Sequence, residues 1–97
     1  MHARATTIQG SPDRIDEAIE QYRNALAMFR DIPGNRGAFL LVDRSAGKGI
    51  GVSLWESEQA VQESRQRADE LRQQAAEQAQ GQIVSVEEYE VAVWDVS

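Results

Sequence analysis

Side chains that could bind an anionic or phenolic ligand are few in this sequence. Arg4 and Thr6 alternate in a short segment rich in Thr and small apolar residues, so in a β-strand they share one face. An arginine in a strand is costly to bury unless it has an anion or a hydrogen-bonded partner. If this face points into a closed interior, Arg4 can orient the enolate or phenolate oxygen of a bound aromatic compound. Tyr22 and Tyr89 can supply hydroxyl groups to the same space.

A structural explanation competes with the chemical one and is favoured for Arg4. Its guanidinium can form an ion pair across the sheet with Glu87, Glu90 or Asp43. Both tyrosines lie on apolar stripes that explain them as core residues. The adjacent carboxylates Glu87 and Glu88 point to opposite faces of a strand and cannot form one acid/base pair. No residue is therefore assigned a catalytic role.

Several common chemistries are excluded by the composition. The sequence has no cysteine, which rules out disulfides, thiolate metal sites and a Cys nucleophile. Its one histidine, His2, stands near the amino terminus without the partners of a hydrolase triad, and no ligand cluster has metal-binding spacing. The glycines of residues 47–51 indicate a hairpin turn, because a phosphate loop needs a following helix. We predict neither a metal nor a cofactor.

Length and charge bound the class of protein and its partners. The 97 residues are predicted to form one domain over residues 1–97 with a modest core. The formal charge of −6 argues against nucleic acid, which rewards a basic stripe, and against an anionic membrane surface. No apolar run has the length of a membrane span, and the amino terminus lacks the apolar core of a signal peptide. We predict a cytoplasmic protein without nucleic-acid or membrane partners.

The elements that position these residues follow from local signals. His2–Gln9 is predicted as the first strand. Ser11 and Pro12 predict a helix start in which the Ser11 hydroxyl accepts an unpaired backbone N–H. Apolar residues at three- and four-residue steps continue this helix to Phe29, and Pro33 with the following glycine ends it.

A hairpin and a second helix follow. Residues 36–44 and Lys48–Trp55 are predicted to pair antiparallel, and the apolar run of residues 39–42 predicts that both faces of its strand are covered. Ser57 is predicted to cap the second helix and Gly81 to close it. The inner face of this helix is predicted to consist of Val61, Ser64, Ala68, Leu71, Ala75 and Ala79.

The last strand, predicted over residues 83–96, is unusually long. Strands commonly have about five or six residues, so the part beyond Tyr89 needs a partner that a four-stranded monomer does not supply. The order of elements predicts an α+β fold, the ferredoxin-like β-α-β-β-α-β sandwich, with an antiparallel four-stranded sheet and two helices on one face. The open sheet face is predicted to pair with a second copy, which gives a homodimer.

Three short motifs are typical of one family. They are Pro33-Gly34 with residues 36–40 (Arg-Gly-Ala-Phe-Leu), residues 52–60 (Val-Ser-Leu-Trp-Glu-Ser-Glu-Gln-Ala), and residues 86–91 (Val-Glu-Glu-Tyr-Glu-Val). With the element order, they resemble the antibiotic-biosynthesis-monooxygenase-like branch of the dimeric α/β-barrel superfamily. The resemblance covers essentially the whole chain. It implies a homodimer in which two sheets pack face to face into a barrel.

The same resemblance implies a cavity between sheet and helices or inside the barrel, with the junction residue Trp55 at its wall. The competing and favoured explanation is that Trp55 packs under the second helix as core. Relatives that degrade haem have a His one helical stretch after this Trp and an Asn in the first strand. In this sequence Ser64 and Arg65 stand in the neighbourhood of that His. The first strand has Ala3, Ala5 and two threonines where those relatives have the Asn. Haem ligation of that kind is not expected.

Two functions stay open. One is a cofactor-independent monooxygenase acting on small aromatic or polyketide-like compounds, in which Trp55 positions the ring and Arg4 or a Tyr stabilises negative charge. The other is a non-catalytic dimeric module that binds a small apolar ligand or has a structural role. A cavity above about 300 Å³ with convergent polar groups favours the first, and an interior filled by Phe39, Leu41 and Val91 favours the second. The candidate ligand-binding residues are Arg4, Thr6, Tyr22, Trp55 and Tyr89.

Overall fold

A computed structural model of the chain describes residues 1–78 and 81–96. The elements in chain order are β1 His2–Gln9, α1 Ile15–Arg30, β2 Asn35–Asp43, β3 Lys48–Trp55, α2 Glu58–Gln78 and β4 Gln82–Glu90. The strands form one antiparallel sheet in the order β2-β3-β1-β4, with α1 packed over β2 and α2 over β1 and β4. This arrangement confirms the predicted ferredoxin-like sandwich.

The first helix begins differently from the prediction. Pro12–Arg14 form one 3₁₀ turn before α1, and the Arg14 N–H donates to the Ser11 carbonyl oxygen at 3.0 Å. The predicted cap by the Ser11 hydroxyl is wrong, because the tighter turn already provides a backbone acceptor for this N–H. The helix ends at Arg30, shortly before Pro33, as the sequence predicts.

The second helix begins as predicted. The Ser57 hydroxyl oxygen accepts the Ala60 N–H at 3.1 Å, which is the expected cap. Where the structure describes the predicted inner face, it is buried or half-buried, at Val61, Ser64, Ala68 and Leu71. Ala79 lies outside the described residues, and so does the side chain of Ala75.

The sheet has one face under the helices and one face that nothing within the described chain covers. On β2, Leu40 and Val42 face α1, whereas Phe39 and Leu41 point to the other side and are 41% and 53% exposed. The prediction that both faces of this strand are covered is therefore confirmed on the helix side, and cover of the other face by a second copy stays a prediction. We call the uncovered side the open face; it includes Ala3, Ala5, Phe39, Leu41, Ile50, Val52 and Tyr89.

The last strand is shorter than predicted. β4 stops at Glu90, whose partner is His2, the first residue of β1. One further hydrogen bond, from the Val91 N–H to the Met1 carbonyl oxygen at 2.9 Å, ends the pairing. The predicted extension to residue 96 is wrong for the single chain, because a strand needs a neighbour with which to pair. In this terminal segment, residues 91–96, the exposed large apolar side chains are Val93, Trp94 and Val96.

Two of the sequence motifs meet in space at Gly34. Its carbonyl oxygen accepts the Glu56 N–H at 2.9 Å, which ties the loop before β2 to the loop before α2. Its φ of 85° lies in the left-handed region, and a Cβ at this position would be 2.5 Å from the Ala60 Cβ. The position therefore requires glycine both for its backbone conformation and for the close approach of α2.

We expect Gly34→Ala to lower the free energy of unfolding by about 2–4 kcal/mol, because the left-handed conformation costs about 1–2 kcal/mol and the contact with Ala60 adds overpacking. Gly10→Ala is the matched control, since a Cβ there would meet the Gly47 carbonyl oxygen at an ordinary 3.7 Å. Urea unfolding measures both variants. Equal stability of the two would contradict the close packing at Gly34.

Candidate functional site

Trp55, at the end of β3, lies in the centre of the core. Its side chain is 0% exposed and packs in one cluster with Phe29, Val61 and Ala68 from the two helices. Its indole N–H donates to the Ser53 hydroxyl oxygen on the same strand at 2.8 Å. The structure therefore places Trp55 under α2 as a core residue whose one polar atom is hydrogen-bonded.

Arg4 lies beside Trp55 on the neighbouring strand and is almost as deeply buried. Its side chain is 1% exposed, and its guanidinium carbon lies 5.5 Å from the centre of the Trp55 ring, within cation–π range. Its Nη2 donates to the Val61 carbonyl oxygen of α2 at 2.8 Å. Its Nε and Nη2 donate to one carboxylate oxygen of Glu88 on β4, at 3.2 and 3.0 Å. One guanidinium thus joins β1, β4 and α2.

Glu88 forms ion pairs with two arginines. Besides Arg4, its carboxylate accepts hydrogen bonds from Arg65 of α2. The hydrogen bond from Arg65 holds the pKa of Glu88 below its ordinary value, and Arg4 acts in the same direction while partial burial opposes both. Burial lowers the pKa of Arg4, and the carboxylate of Glu88 counteracts this effect. The three side chains form a charged group between α2 and the sheet.

The ion pair predicted for Arg4 forms with a different carboxylate. The prediction of Glu87, Glu90 or Asp43 is wrong, because the register sets Arg4 directly opposite Glu88. Glu87 points to the open face and accepts a hydrogen bond from the Tyr89 hydroxyl, so the two adjacent carboxylates do lie on opposite sides of the strand. Identifying Glu88 as the partner of Arg4 requires the pairing register of β1 and β4, and the sequence alone does not determine that register.

Tyr22 reaches from α1 across the helix-covered face of the sheet. Its hydroxyl donates to the Phe39 carbonyl oxygen at 2.9 Å and lies 3.4 Å from the Val52 carbonyl oxygen. Its ring lies against Gly51, where a Cβ would be 2.9 Å from the Tyr22 Cε2 atom. Burial raises the pKa of Tyr22 to about 12, so the phenol stays protonated and remains a donor at neutral pH.

Two small apolar clefts between the helices and the sheet are both bordered by Tyr22 and Ile8. Cleft A, of about 40 Å³, lies under the start of α1 against Leu40 and Gly49. Cleft B, of about 30 Å³, is lined by Thr6, Phe29, Gly51, Ser53 and Leu71. Thr6 is 4% exposed and lines cleft B, so of Arg4 and Thr6 it is Thr6 that reaches a cleft. We call clefts A and B, together with the position of the Tyr22 ring, the interlayer space.

The five candidate residues therefore fall in three places. Arg4 and Trp55 lie in the core, and Thr6 and Tyr22 border the interlayer space. Tyr89 is 52% exposed on the open face, on the opposite side of the sheet from Tyr22. Sequence reasoning missed Gly51, which lies against the Tyr22 ring, and Ser53, whose hydroxyl oxygen accepts the Trp55 indole N–H. Alternation along β3 places both beside Trp55 on the helix side and was the available signal.

A larger hollow, of about 330 Å³, lies between α2 and the β4 edge of the sheet. Charged and polar side chains line it, among them His2, Glu58, Gln62, Arg65 and Glu90. Its size meets the expectation of about 300 Å³ for a ligand cavity. Its charged walls do not fit the apolar, water-poor space that oxygenation of a carbanion requires.

Two further observations concern the part of the chain that the structure describes. No group of three His, Cys, Asp or Glu side chains in residues 1–78 and 81–96 lies close enough together to hold a metal ion. Within the same residues, no helix is long and apolar enough to cross a membrane.

Comparison with known proteins identifies the family. The sequence profile of the antibiotic biosynthesis monooxygenase family matches residues 1–76. The chain belongs to this family. An uncharacterised protein of Mycobacterium tuberculosis is 37% identical over 93 residues, which are 95% of this chain and 41% of that protein. The chain thus spans less than half the length of this relative.

Solved structures share the fold. The haem-degrading protein MhuD of Mycobacterium tuberculosis, solved with two haems in its active site, aligns with a TM-score of 0.75 and 21% identity over 100% of both chains. A monooxygenase of Streptomyces coelicolor in complex with nanaomycin D aligns with a TM-score of 0.69 and 17% identity, over 99% of this chain and 92% of that one. At these identities the likeness establishes the fold.

The residues of α2 do not fit the haem ligation expected of haem-degrading relatives. The Ser64 hydroxyl donates to the Val61 carbonyl oxygen at 2.9 Å, and Arg65 is paired with Glu88. The sequence of α2 contains no histidine. Clefts A and B, at about 40 and 30 Å³, are also far smaller than a macrocycle. These residues therefore support no haem chemistry of that kind.

We expect Glu88→Gln to lower the free energy of unfolding by about 2 kcal/mol, because it leaves the buried Arg4 without its counter-charge. The loss is smaller than for a fully buried ion pair, since the Glu88 side chain is 26% exposed. Glu87→Gln is the matched control on the exposed side of the same strand and should change stability by less than about 0.5 kcal/mol. Urea unfolding at pH 7 compares the two. A loss for Glu87→Gln as large as that for Glu88→Gln would contradict this assignment.

The same pair has a defined pH dependence. Because the pKa of Glu88 is lowered in the folded state, its stabilising effect is complete above its ordinary value of 4.5 and is lost as the pH falls through the folded value. The stability difference between the wild type and Glu88→Gln should therefore shrink on acidification below pH 4.5. A difference that stays constant to pH 2.5 would contradict the lowered pKa.

Proposed function

We propose that the chain works as a homodimer whose interlayer space binds a small, flat aromatic compound. The observation that carries this proposal is the pair of apolar clefts beside Tyr22, between the helices and the sheet. Their walls are mainly apolar side chains and glycines, with the hydroxyls of Tyr22 and Thr6 as nearby polar groups. Apolar walls with a few placed donors are typical of small-molecule sites, but the clefts are far below the roughly 300 Å³ of such sites, so the ligand also needs the space that the Tyr22 ring occupies.

Oxygenation of the bound compound is a second candidate, favoured by membership of the monooxygenase family and by the related Streptomyces enzyme that was solved with nanaomycin D. In such a reaction an activated CH₂ group reacts with O₂ and becomes a carbonyl. One oxygen atom enters the product, and the other leaves as water with the two hydrogens. Such chemistry needs a dry apolar space and donors toward the anionic intermediate. Thr6, which lines cleft B, is the candidate donor, because Arg4 is engaged with Glu88 and the Tyr22 hydroxyl with the Phe39 carbonyl oxygen.

The homodimer is proposed through the open face. Phe39 and Leu41 are 41% and 53% exposed there, next to the half-buried Ile50 and Val52. Contiguous apolar surface of this kind marks an interaction site. The terminal segment adds Val93, Trp94 and Val96. Packing against a second copy would remove the apolar side chains of the open face and of the terminal segment from water together. A dimer without enzymatic activity would be a binding or structural module.

Three broader assignments rest on the sequence. We propose that residues 1–97 form one domain of this family and that it resides in the cytoplasm. The formal charge of −6 supports the further proposal that neither nucleic acid nor an anionic membrane is a partner.

We expect light scattering at micromolar concentration to return twice the chain mass of 10.8 kDa. Leu41→Glu should shift the protein to the monomer, because a carboxylate at an apolar interface is left without a partner. Met28→Glu is the matched control, since Met28 is 49% exposed on α1, away from the open face, and Leu41 is 53% exposed. A wild-type monomer, or equal effects of both substitutions, would contradict the proposed interface.

Binding and oxygenation are separated by two measurements on the wild type. We expect saturable binding of 2-naphthol with a Kd below about 1 mM, followed by its fluorescence. Anthrone with dissolved oxygen tests turnover, with oxygen uptake and anthraquinone absorbance compared with a protein-free control. Binding without turnover supports the binding module, and turnover above the control supports the monooxygenase. Absence of both refutes the proposed use of the interlayer space.

A further inference from the structure

Three hollows of the protein meet at the Tyr22 side chain. Clefts A and B border it between the layers. A third hollow of about 250 Å³, which we call the outer groove, borders it between α1 and β2 and is lined by Ile19, Arg23, Leu26 and Val42. Clefts A and B have Ile8 as well as Tyr22 in common, so they lie next to each other on the helix side of the sheet.

The surface beneath this ring is bare backbone. A Cβ at Gly51 would be 2.9 Å from the Tyr22 Cε2 atom and 3.6 Å from its hydroxyl oxygen. Gly49, two residues earlier on the same face of β3, lines cleft A. The two glycines therefore form a flat strip in the sheet, on which an aromatic ring can lie. We call the part over Gly51, which the Tyr22 ring occupies, the ring site.

The polar end of the ring site is also made of backbone. The Tyr22 hydroxyl is 2.9 Å from the Phe39 carbonyl oxygen and 3.4 Å from the Val52 carbonyl oxygen, and both acceptors belong to the sheet. They stay in place when a side chain moves. An added phenol or naphthol lying over Gly51 can therefore make the contacts that Tyr22 makes now.

The charge around the ring site favours a neutral ligand. Among the residues that the structure describes, the charged one that lines cleft A is Arg14, whose guanidinium is paired with Glu17 at 2.8 Å. Cleft B is lined by apolar residues, glycine and hydroxyl groups. An ionised ligand would lose its hydration in these clefts without gaining a counter-charge.

We propose that Tyr22 is a gate: its ring occupies the binding site of a neutral aromatic ligand that carries a hydroxyl group, and it moves into the outer groove when the ligand enters. With the ring in the outer groove, clefts A and B and the ring site join into one channel along β3. The inference rests on the proposed function for its ligand class and adds the residue that controls entry. The outer groove has several times the volume of the two clefts together and can accept the ring.

The test removes the Tyr22 ring and asks whether an added phenol takes its place. 2-Naphthol is titrated into the wild type, Tyr22→Ala and Tyr22→Phe, with its fluorescence as the readout. We expect about 10-fold tighter binding by Tyr22→Ala, because the ring site is then free. We expect about 3-fold tighter binding by Tyr22→Phe, because one hydrogen bond that holds the ring in place is lost.

Two control variants show where the probe binds. Adding Gly51→Leu to Tyr22→Ala places a side chain in the ring site and should return the affinity to the wild-type value or below it. Met28→Ala truncates an exposed apolar side chain of α1 that lines neither cleft nor the outer groove, and it should leave the affinity unchanged. Circular dichroism and an amide NMR spectrum establish that each variant is folded.

Specific outcomes would overturn the gate. The gate is refuted if folded Tyr22→Ala binds 2-naphthol no more tightly than the wild type. It is also refuted if adding Gly51→Leu to Tyr22→Ala leaves the affinity unchanged. If Tyr22→Ala does not fold, Tyr22→Phe decides, and wild-type affinity for it overturns the proposal. Tight binding by Tyr22→Ala with none by the wild type would refute the proposed function while supporting the ring site, so the two failures are distinguishable.

Discussion

The burial of one guanidinium constrains most of this fold. Arg4 is 1% exposed, between the Trp55 ring and the carboxylate of Glu88, with the Val61 carbonyl oxygen as a third partner. Those groups come from β3, β4 and α2, while Arg4 itself is on β1, so a single charge fixes three strands and a helix relative to one another. A buried charge is tolerated only when its partners are in place, which makes this group sensitive to each of its members.

The local elements could be predicted from the sequence, and the reason is visible at β3. It begins after the turn at Gly47 and ends two residues before the cap at Ser57, and both signals are properties of the local chain. The extent of β4 could not be predicted in the same way. Its β-prone residues continue to position 96, but pairing within the chain ends where β1 begins, and no local signal carries that information.

The sequence predicted the residue types of the candidate site better than it predicted their arrangement in space. Arg4, Thr6 and Tyr22 do lie on the helix side of the sheet. However, Arg4 is engaged in an ion pair with Glu88, whereas Thr6 and Tyr22 border the clefts. Separating these roles requires the register and the helix positions, which are set by packing across the whole chain. Trp55 illustrates the same limit, since its neighbours come from both helices.

The adjacent carboxylates Glu87 and Glu88 have a consequence for how β4 finds its alignment during folding. Because neighbouring residues in a strand face opposite sides, shifting β4 by one position would turn Glu88 to the open face and bring Glu87 or Tyr89 opposite Arg4. The shift that brings Tyr89 opposite Arg4 would leave Arg4 and Arg65 without the carboxylate that serves both of them. The shift that brings Glu87 there would supply another carboxylate, so only the exchange of faces along the strand acts against that alignment. Electrostatics therefore reinforces the hydrophobic pattern against one of the two one-residue slips, which gives this small sheet a partial second safeguard against misfolding.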